Sequence, residues 1–203
     1  MAKALFLTGE KKVGKTTAVR KIVASLGEGH FAGFYATERR ENGLRTGFGI
    51  SLLDGREGML AAVDSDSELR VGRVIDGRVK YGVELGFLEE VAIPAVTAAL
   101  NDHPGKLLLI DEIGPMQLYS RAFRQFVLDV LDSSRVVLGT IMSLSDPWVD
   151  ALKSRDDMET FLLTVQNRTS MAEMVTWYLS REIGVPCQES RSDRRVRGTR
   201  APG

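Results

Sequence analysis

Two short runs of residues carry groups whose types and spacing could do chemistry. The first is Gly9-Glu10-Lys11-Lys12-Val13-Gly14-Lys15-Thr16, in which four residues separate two glycines and a lysine and a hydroxyl follow. Glycine at both places lets the backbone turn its N–H groups inward, and a helix opening at the lysine adds the partial positive charge of its N-terminus. Such a loop is a nest for the oxygens of a phosphate chain. The pattern assigns phosphate contact to Gly9, Glu10, Lys11, Lys12, Val13, Gly14, Lys15, Thr16 and Thr17. Lys15 would reach the β- and γ-phosphates, Thr17 the α-phosphate, and the Thr16 hydroxyl would ligate Mg2+. Lys11 and Lys12 read as solvated charges that strengthen the local attraction for phosphate. The pattern is short, and a strand before it and a helix after it are what give it meaning.

The second run, Leu107-Leu108-Leu109-Ile110-Asp111-Glu112, is an apolar strand that ends in two carboxylates. In an open parallel sheet, ligands sit at the carboxyl ends of the strands, beside any phosphate loop. Asp111 would then hold Mg2+ through its water shell, and Glu112 would orient or deprotonate a water. Thr140 ends a further apolar run and could sense the γ-phosphate or that water. Arg121 and Arg168 could neutralise charge that develops on a transferred phosphate. Asn167 follows the last expected strand, where a base or ribose would lie. His30 and His103 stand alone without ligand spacing.

These groups need a frame, and short apolar runs alternating with amphipathic stretches supply one: a mostly parallel sheet covered on both faces. The spacing predicts strands at 4–8, 31–37, 106–110, 135–141 and 160–165. It predicts helices after the phosphate loop, over 87–101 with Pro94 bending or splitting it, and near 120–131, 147–154 and 169–182. The last helix carries Met171, Met174, Val175 and Tyr178 on one stripe. Residues 44–53, the Asp54-Gly55 turn and the run after it read as an antiparallel hairpin that 70–82 extends. The 203 residues contain 27 basic and 27 acidic side chains and one cysteine, Cys187. Balanced charge gives no indication of nucleic acid, and a single thiol suits a reducing cytoplasm. No apolar stretch is long enough for a membrane span. One domain over 1–182 is expected, followed by a disordered tail, 183–203, in which Arg191, Arg194, Arg195, Arg197 and Arg200 stand against Glu189 and Asp193.

With these residues in place, the chain resembles the small nucleoside-triphosphatase family, which includes the cancer-related nucleoside-triphosphatase and its thermophile homologues, within the P-loop NTPases. The resemblance rests on Asp111-Glu112-Ile113-Gly114-Pro115-Met116, Gly33-Phe34-Tyr35 with Glu38, Gly47-Phe48, Tyr81-Gly82-Val83, Leu88–Pro94, Thr140-Ile141 and Gln166-Asn167-Arg168. These span about 3–182. The family's loop commonly has Pro-Gly where this chain has Lys11-Lys12. The resemblance implies a three-layer, RecA-like α/β domain that hydrolyses ATP, GTP and other nucleoside triphosphates slowly, with Mg2+ and broad base tolerance. A monomer is expected. Two other readings stay open. One is a kinase using Arg39, Arg40, Arg45, Arg56, Arg70, Arg73 and Arg78 around an acceptor. The other is a nucleotide-dependent switch.

Overall fold

The computed structural model describes residues 3–75 and 77–184. From 185 onward the expected tail, with Cys187, lies outside the described residues. The described strands form one nine-stranded sheet in the order β5 (Arg70–Ile75), β6 (Arg78–Val83), β4 (Glu57–Ala62), β3 (Leu44–Leu52), β2 (Phe31–Glu41), β7 (Leu107–Ile113), β8 (Val137–Ile141), β1 (Ala4–Thr8), β9 (Met158–Leu162).

Its parallel half comprises β1 (Ala4–Thr8), β2 (Phe31–Glu41), β7 (Leu107–Ile113), β8 (Val137–Ile141) and β9 (Met158–Leu162). β1 and the start of β7 are unbroken apolar runs because helices cover both of their faces. On one face α1 (Lys15–Leu26) and α5 (Arg168–Glu182) pack on Leu5, Leu7, Leu107, Leu109 and Leu138. On the other, α2 (Ile93–Asp102), α3 (Arg121–Leu131) and α4 (Pro147–Lys153) cover Phe6, Phe34, Leu108 and Ile110. This is the expected three-layer α/β arrangement. Among the described residues no helix is long and apolar enough to cross a membrane.

The antiparallel extension is larger than a hairpin. β2 runs beside β7 as far as Tyr35 and continues past the parallel half, pairing with β3 (Leu44–Leu52) through Glu41↔Leu44. Asn42 and Gly43, both at positive φ, make the two-residue turn that this twist favours. β4 (Glu57–Ala62), β5 (Arg70–Ile75) and β6 (Arg78–Val83) complete the extension.

Several boundaries moved for identifiable reasons. The acidic strand continues through both carboxylates to Ile113. The last strand spans Met158–Leu162, where 160–165 was expected, and an irregular loop follows it. Pro94 sits at the start of α2, which continues directly from a wide π-helical turn over Phe87–Ala92, and that widened turn accommodates a residue with no N–H to donate. In α5 the buried stripe is Ala172, Val175, Thr176, Leu179 and Ser180, while Met174 faces outward. Thr176 donates to the Ala172 carbonyl at 2.7 Å and Ser180 to that of Trp177 at 2.7 Å. With their hydroxyls satisfied on their own helix, both residues can enter the core.

Candidate active site

The phosphate loop joins β1 to α1 at the carboxyl ends of the parallel strands. Gly9 (φ 146°), Lys12 (φ 68°) and Gly14 (φ 104°) all take positive φ, which turns the chain tightly around the loop's interior. Val13 is buried and anchors the loop in the core shared by α1 and α5. Glu10, Lys11, Lys12 and Thr17 are exposed around it. α3 and α4 close their first turns with side chains, Ser120 accepting from Phe123 N and Asp146 from Trp148 N and Val149 N. α1 begins at Gly14 with no side-chain cap, so its first amides remain open to an anion. The Lys15 ammonium folds across the loop and donates to the carbonyls of Gly9 (3.0 Å) and Glu10 (3.2 Å).

The carboxylates lie two strands away. Asp111 is 1% exposed and Thr140 is fully buried, and the Thr140 hydroxyl donates to Asp111 Oδ1 at 2.6 Å. Asp111 Oδ2 is buried without a hydrogen-bond partner. Burial pushes the Asp111 carboxyl up to about 6; the Thr140 and Thr16 hydroxyls pull it down, the Glu112 charge raises it, and Arg20 lowers it. Glu112 is half-buried, with its carboxylate folded over the backbone of Gly114. The Asp111–Glu112 peptide bond is cis, and the β7–β8 ladder steps from Ile110 to Ile113 across this pair.

The loop after β9 braces the phosphate loop. Leu163 N donates to Thr8 O at 2.7 Å, and a Cβ on Gly9 would stand 2.5 Å from Leu163 O, a contact only glycine permits. The Asn167 amide is occupied within this loop: Oδ1 accepts from Thr164 N (2.7 Å) and Nδ2 donates to Leu162 O (2.9 Å). Arg168, exposed at the start of α5, brings Cδ and Nη1 to 3.8 Å from where a Cβ on Gly14 would lie. The structure therefore gathers Thr16, Asp111 and Thr140 into one contact group and lays Lys15 and Arg168 over the loop. Arg121 starts α3, on the sheet face opposite α1 and α5.

Two neighbours of Asp111 were not anticipated. Tyr35 is its register partner on β2, and the Arg20 guanidinium stacks 4.1 Å from the Tyr35 ring centroid. Burial pushes the Tyr35 phenol up to about 12, against the lowering effect of Arg20. The available signals were the spacing of Arg20 one helical turn beyond Thr16, and Tyr35 ending its apolar run as Asp111 ends its own.

Among the described residues no group of three or more His, Cys, Asp or Glu could hold a metal ion by itself. The donor set is one buried carboxylate with a free oxygen beside one hydroxyl, which fits a cation that also takes water and phosphate oxygens.

Comparison with known proteins agrees with this geometry. A family model described as NTPase matches residues 4–176. Nucleoside-triphosphatase THEP1 of Thermotoga sp. (strain RQ2) is 42% identical over 167 residues, covering 82% of this chain and 90% of the relative. The human cancer-related nucleoside-triphosphatase is 35% identical over 184 residues, covering 84% and 93%. The crystal structure of THEP1 from the hyperthermophile Aquifex aeolicus superposes with a TM-score of 0.76 at 33% identity, covering 88% of this chain and 99% of that one. The solution structure of the human protein gives a TM-score of 0.71 at 31% identity, covering 89% and 98%. Sheet order, phosphate loop and similarity converge: the chain belongs to the NTPase family and is a nucleoside-triphosphatase.

Proposed function

We propose that this enzyme requires Mg2+ and hydrolyses nucleoside triphosphates to the diphosphate and phosphate with little regard for the base. The observation that carries this reading is the state of Asp111. One oxygen is fixed by Thr140, and the other is buried without a partner beside the Thr16 hydroxyl. An unpaired buried acceptor costs about 1–3 kcal/mol, more when charged, and a cation near Oδ2 offsets that cost. Thr16 would be a direct ligand of Mg2+ and Asp111 a ligand through water. When bound, Mg2+ would neutralise charge on the phosphate chain.

The protein's own groups divide the remaining work. The open amides of the loop and of the first turn of α1 bind the phosphate chain. Lys15 exchanges the carbonyls of Gly9 and Glu10 for β- and γ-phosphate oxygens. Glu112 orients a water and takes its proton as the water oxygen bonds to the γ-phosphorus. The bond from that phosphorus to the bridging oxygen breaks, and the diphosphate leaves. Arg168 balances charge on the loop side. Thr140 acts through Asp111, as a positioning residue.

Base tolerance is supported by Asn167, whose amide oxygen and nitrogen are both engaged within the loop, by Thr164 N and Leu162 O. The kinase reading loses support from the extension. Arg39 pairs with Glu57, Arg40 and Arg45 pair with Glu38, and Arg56 pairs with Asp54. Arg70 donates to carbonyls that include Val79, Ser65 and Lys80. These guanidiniums brace the extension, so they are not arranged to receive an acceptor.

Phosphate release from ATP, GTP, CTP and UTP, with Mg2+ or with EDTA, tests the reading on wild type, Lys15→Ala and Glu112→Gln. Release should require Mg2+ and both side chains, and should vary little among bases. Full release in EDTA, or undiminished turnover by Glu112→Gln, would refute it.

A further inference from the structure

We propose that Gly114 is a positioning residue for the Glu112 carboxylate, and that turnover depends on the side chain missing at 114. This rests on the reading of Glu112 as the group that acts on water. A Cβ built on Gly114 would stand 2.7 Å from Glu112 Oε1 and 3.2 Å from its Cδ and Cγ. Apart from the adjoining residues Ile113 and Pro115, those three Glu112 side-chain atoms are the nearest heavy atoms around it. The shortest of these distances lies well inside van der Waals contact, so a methyl group and the carboxylate cannot both keep their places.

Backbone freedom does not explain the glycine. Gly114 is absent from the residues at positive φ, so no left-handed angle reserves the position for glycine. The main chain around it is also held. Ile113 is buried in the sheet beside Ile141, its carbonyl accepts from Met142 N at 3.0 Å, and the Gly114 carbonyl accepts from Leu118 N at 3.2 Å. Met116, two residues on, is buried as well. An added methyl would therefore displace the half-buried Glu112 arm, which rotates about single bonds, while the backbone stays in place. The space above Gly114 is the seat of the carboxylate.

The test compares steady-state kinetics and thermal melts of wild type, Gly114→Ala, Glu112→Gln and the double variant with Mg-ATP. A displacement near 1 Å at a reacting group costs on the order of 100-fold. Gly114→Ala should lose roughly 10- to 100-fold in kcat, with KM within about twofold and the melting temperature within about 2 °C of wild type. In the Glu112→Gln background the same change should cost little more, because the carboxylate it displaces is gone. Wild-type kcat in Gly114→Ala, alongside an inactive Glu112→Gln, would overturn this proposal and leave the role of Glu112 intact. So would an equal loss from Gly114→Ala in both backgrounds, or a melting temperature lower by more than about 5 °C, which would put the methyl against the backbone. Wild-type turnover by Glu112→Gln would remove the role of Glu112 itself, and the proposal with it.

Discussion

Replacing Asp111 with asparagine should stabilise the ligand-free protein while ending the Mg2+-supported turnover proposed above. Burial pushes the Asp111 carboxyl from 3.8 up to about 6, with the Thr140 and Thr16 hydroxyls and Arg20 offsetting part of the effect and the Glu112 charge adding to it. A carboxyl whose folded value exceeds its unfolded one is held more tightly protonated in the folded state. Its contribution to stability is then fully present below about pH 4, falls as pH rises through about 6, and stays low above that. The distance from 3.8 to about 6 corresponds to roughly 3 kcal/mol of destabilisation at neutral pH. Asparagine keeps an oxygen for Thr140 and removes the charge, but it sets an NH2 where Oδ2 now lacks a partner. The net gain should be about 2 kcal/mol, or roughly 4–8 °C for a domain of this size. Thermal melts of both proteins in EDTA between pH 4.5 and 8 read the effect, and phosphate release with Mg2+ reads the loss of activity. The advantage of Asp111→Asn should be largest near pH 7.5 and shrink toward pH 4.5. A variant that melts at or below wild type at pH 7.5, or a gap independent of pH, would refute the reasoning.

Two further substitutions probe the surroundings. Thr140→Val keeps the shape of a buried side chain but removes the hydrogen bond to Asp111; it should cost about 1–3 kcal/mol, read as a lower melting temperature, and weaken Mg2+ dependence with it. Asn167→Ala releases the loop after β9 from two side-chain hydrogen bonds, and kcat/KM should fall by a common factor on the order of ten for ATP, GTP, CTP and UTP. A fall confined to one nucleotide would show instead that the amide reads a base.

What could be read from the chain was local. Gly9 to Thr16 and Leu107 to Glu112 are contiguous, and the physics that makes each recognisable acts within a single turn or strand. The same holds for α3, whose apolar residues recur at helical spacing. Contacts that depend on strand pairing could not be read in this way. Tyr35 and Arg20 meet Asp111 because β2 lies beside β7 in a particular register, and no run of residues declares that. Thr140 was expected to face phosphate or water, yet its hydroxyl lies on Asp111, because only the sheet brings the two side chains together. β2 reaches Glu41 and joins the expected antiparallel excursion because Asn42-Gly43 makes a further turn inside a stretch dominated by charge. Met174 was misplaced in α5 because hydroxyl residues satisfied on their own helix took the inward positions.

With Lys15 in the phosphate-binding role proposed above, its ammonium, which rests on the carbonyls of Gly9 and Glu10, would make nucleotide capture an exchange reaction. The cation already has partners before phosphate arrives, so affinity records only how far phosphate oxygens outcompete two peptide carbonyls. Loss of affinity in Lys15→Ala therefore understates the strength of the lysine–phosphate bond, since the variant also leaves those carbonyls to solvent. The same exchange would run in reverse after hydrolysis, when the loop's own oxygens would compete for the ammonium and help the diphosphate depart.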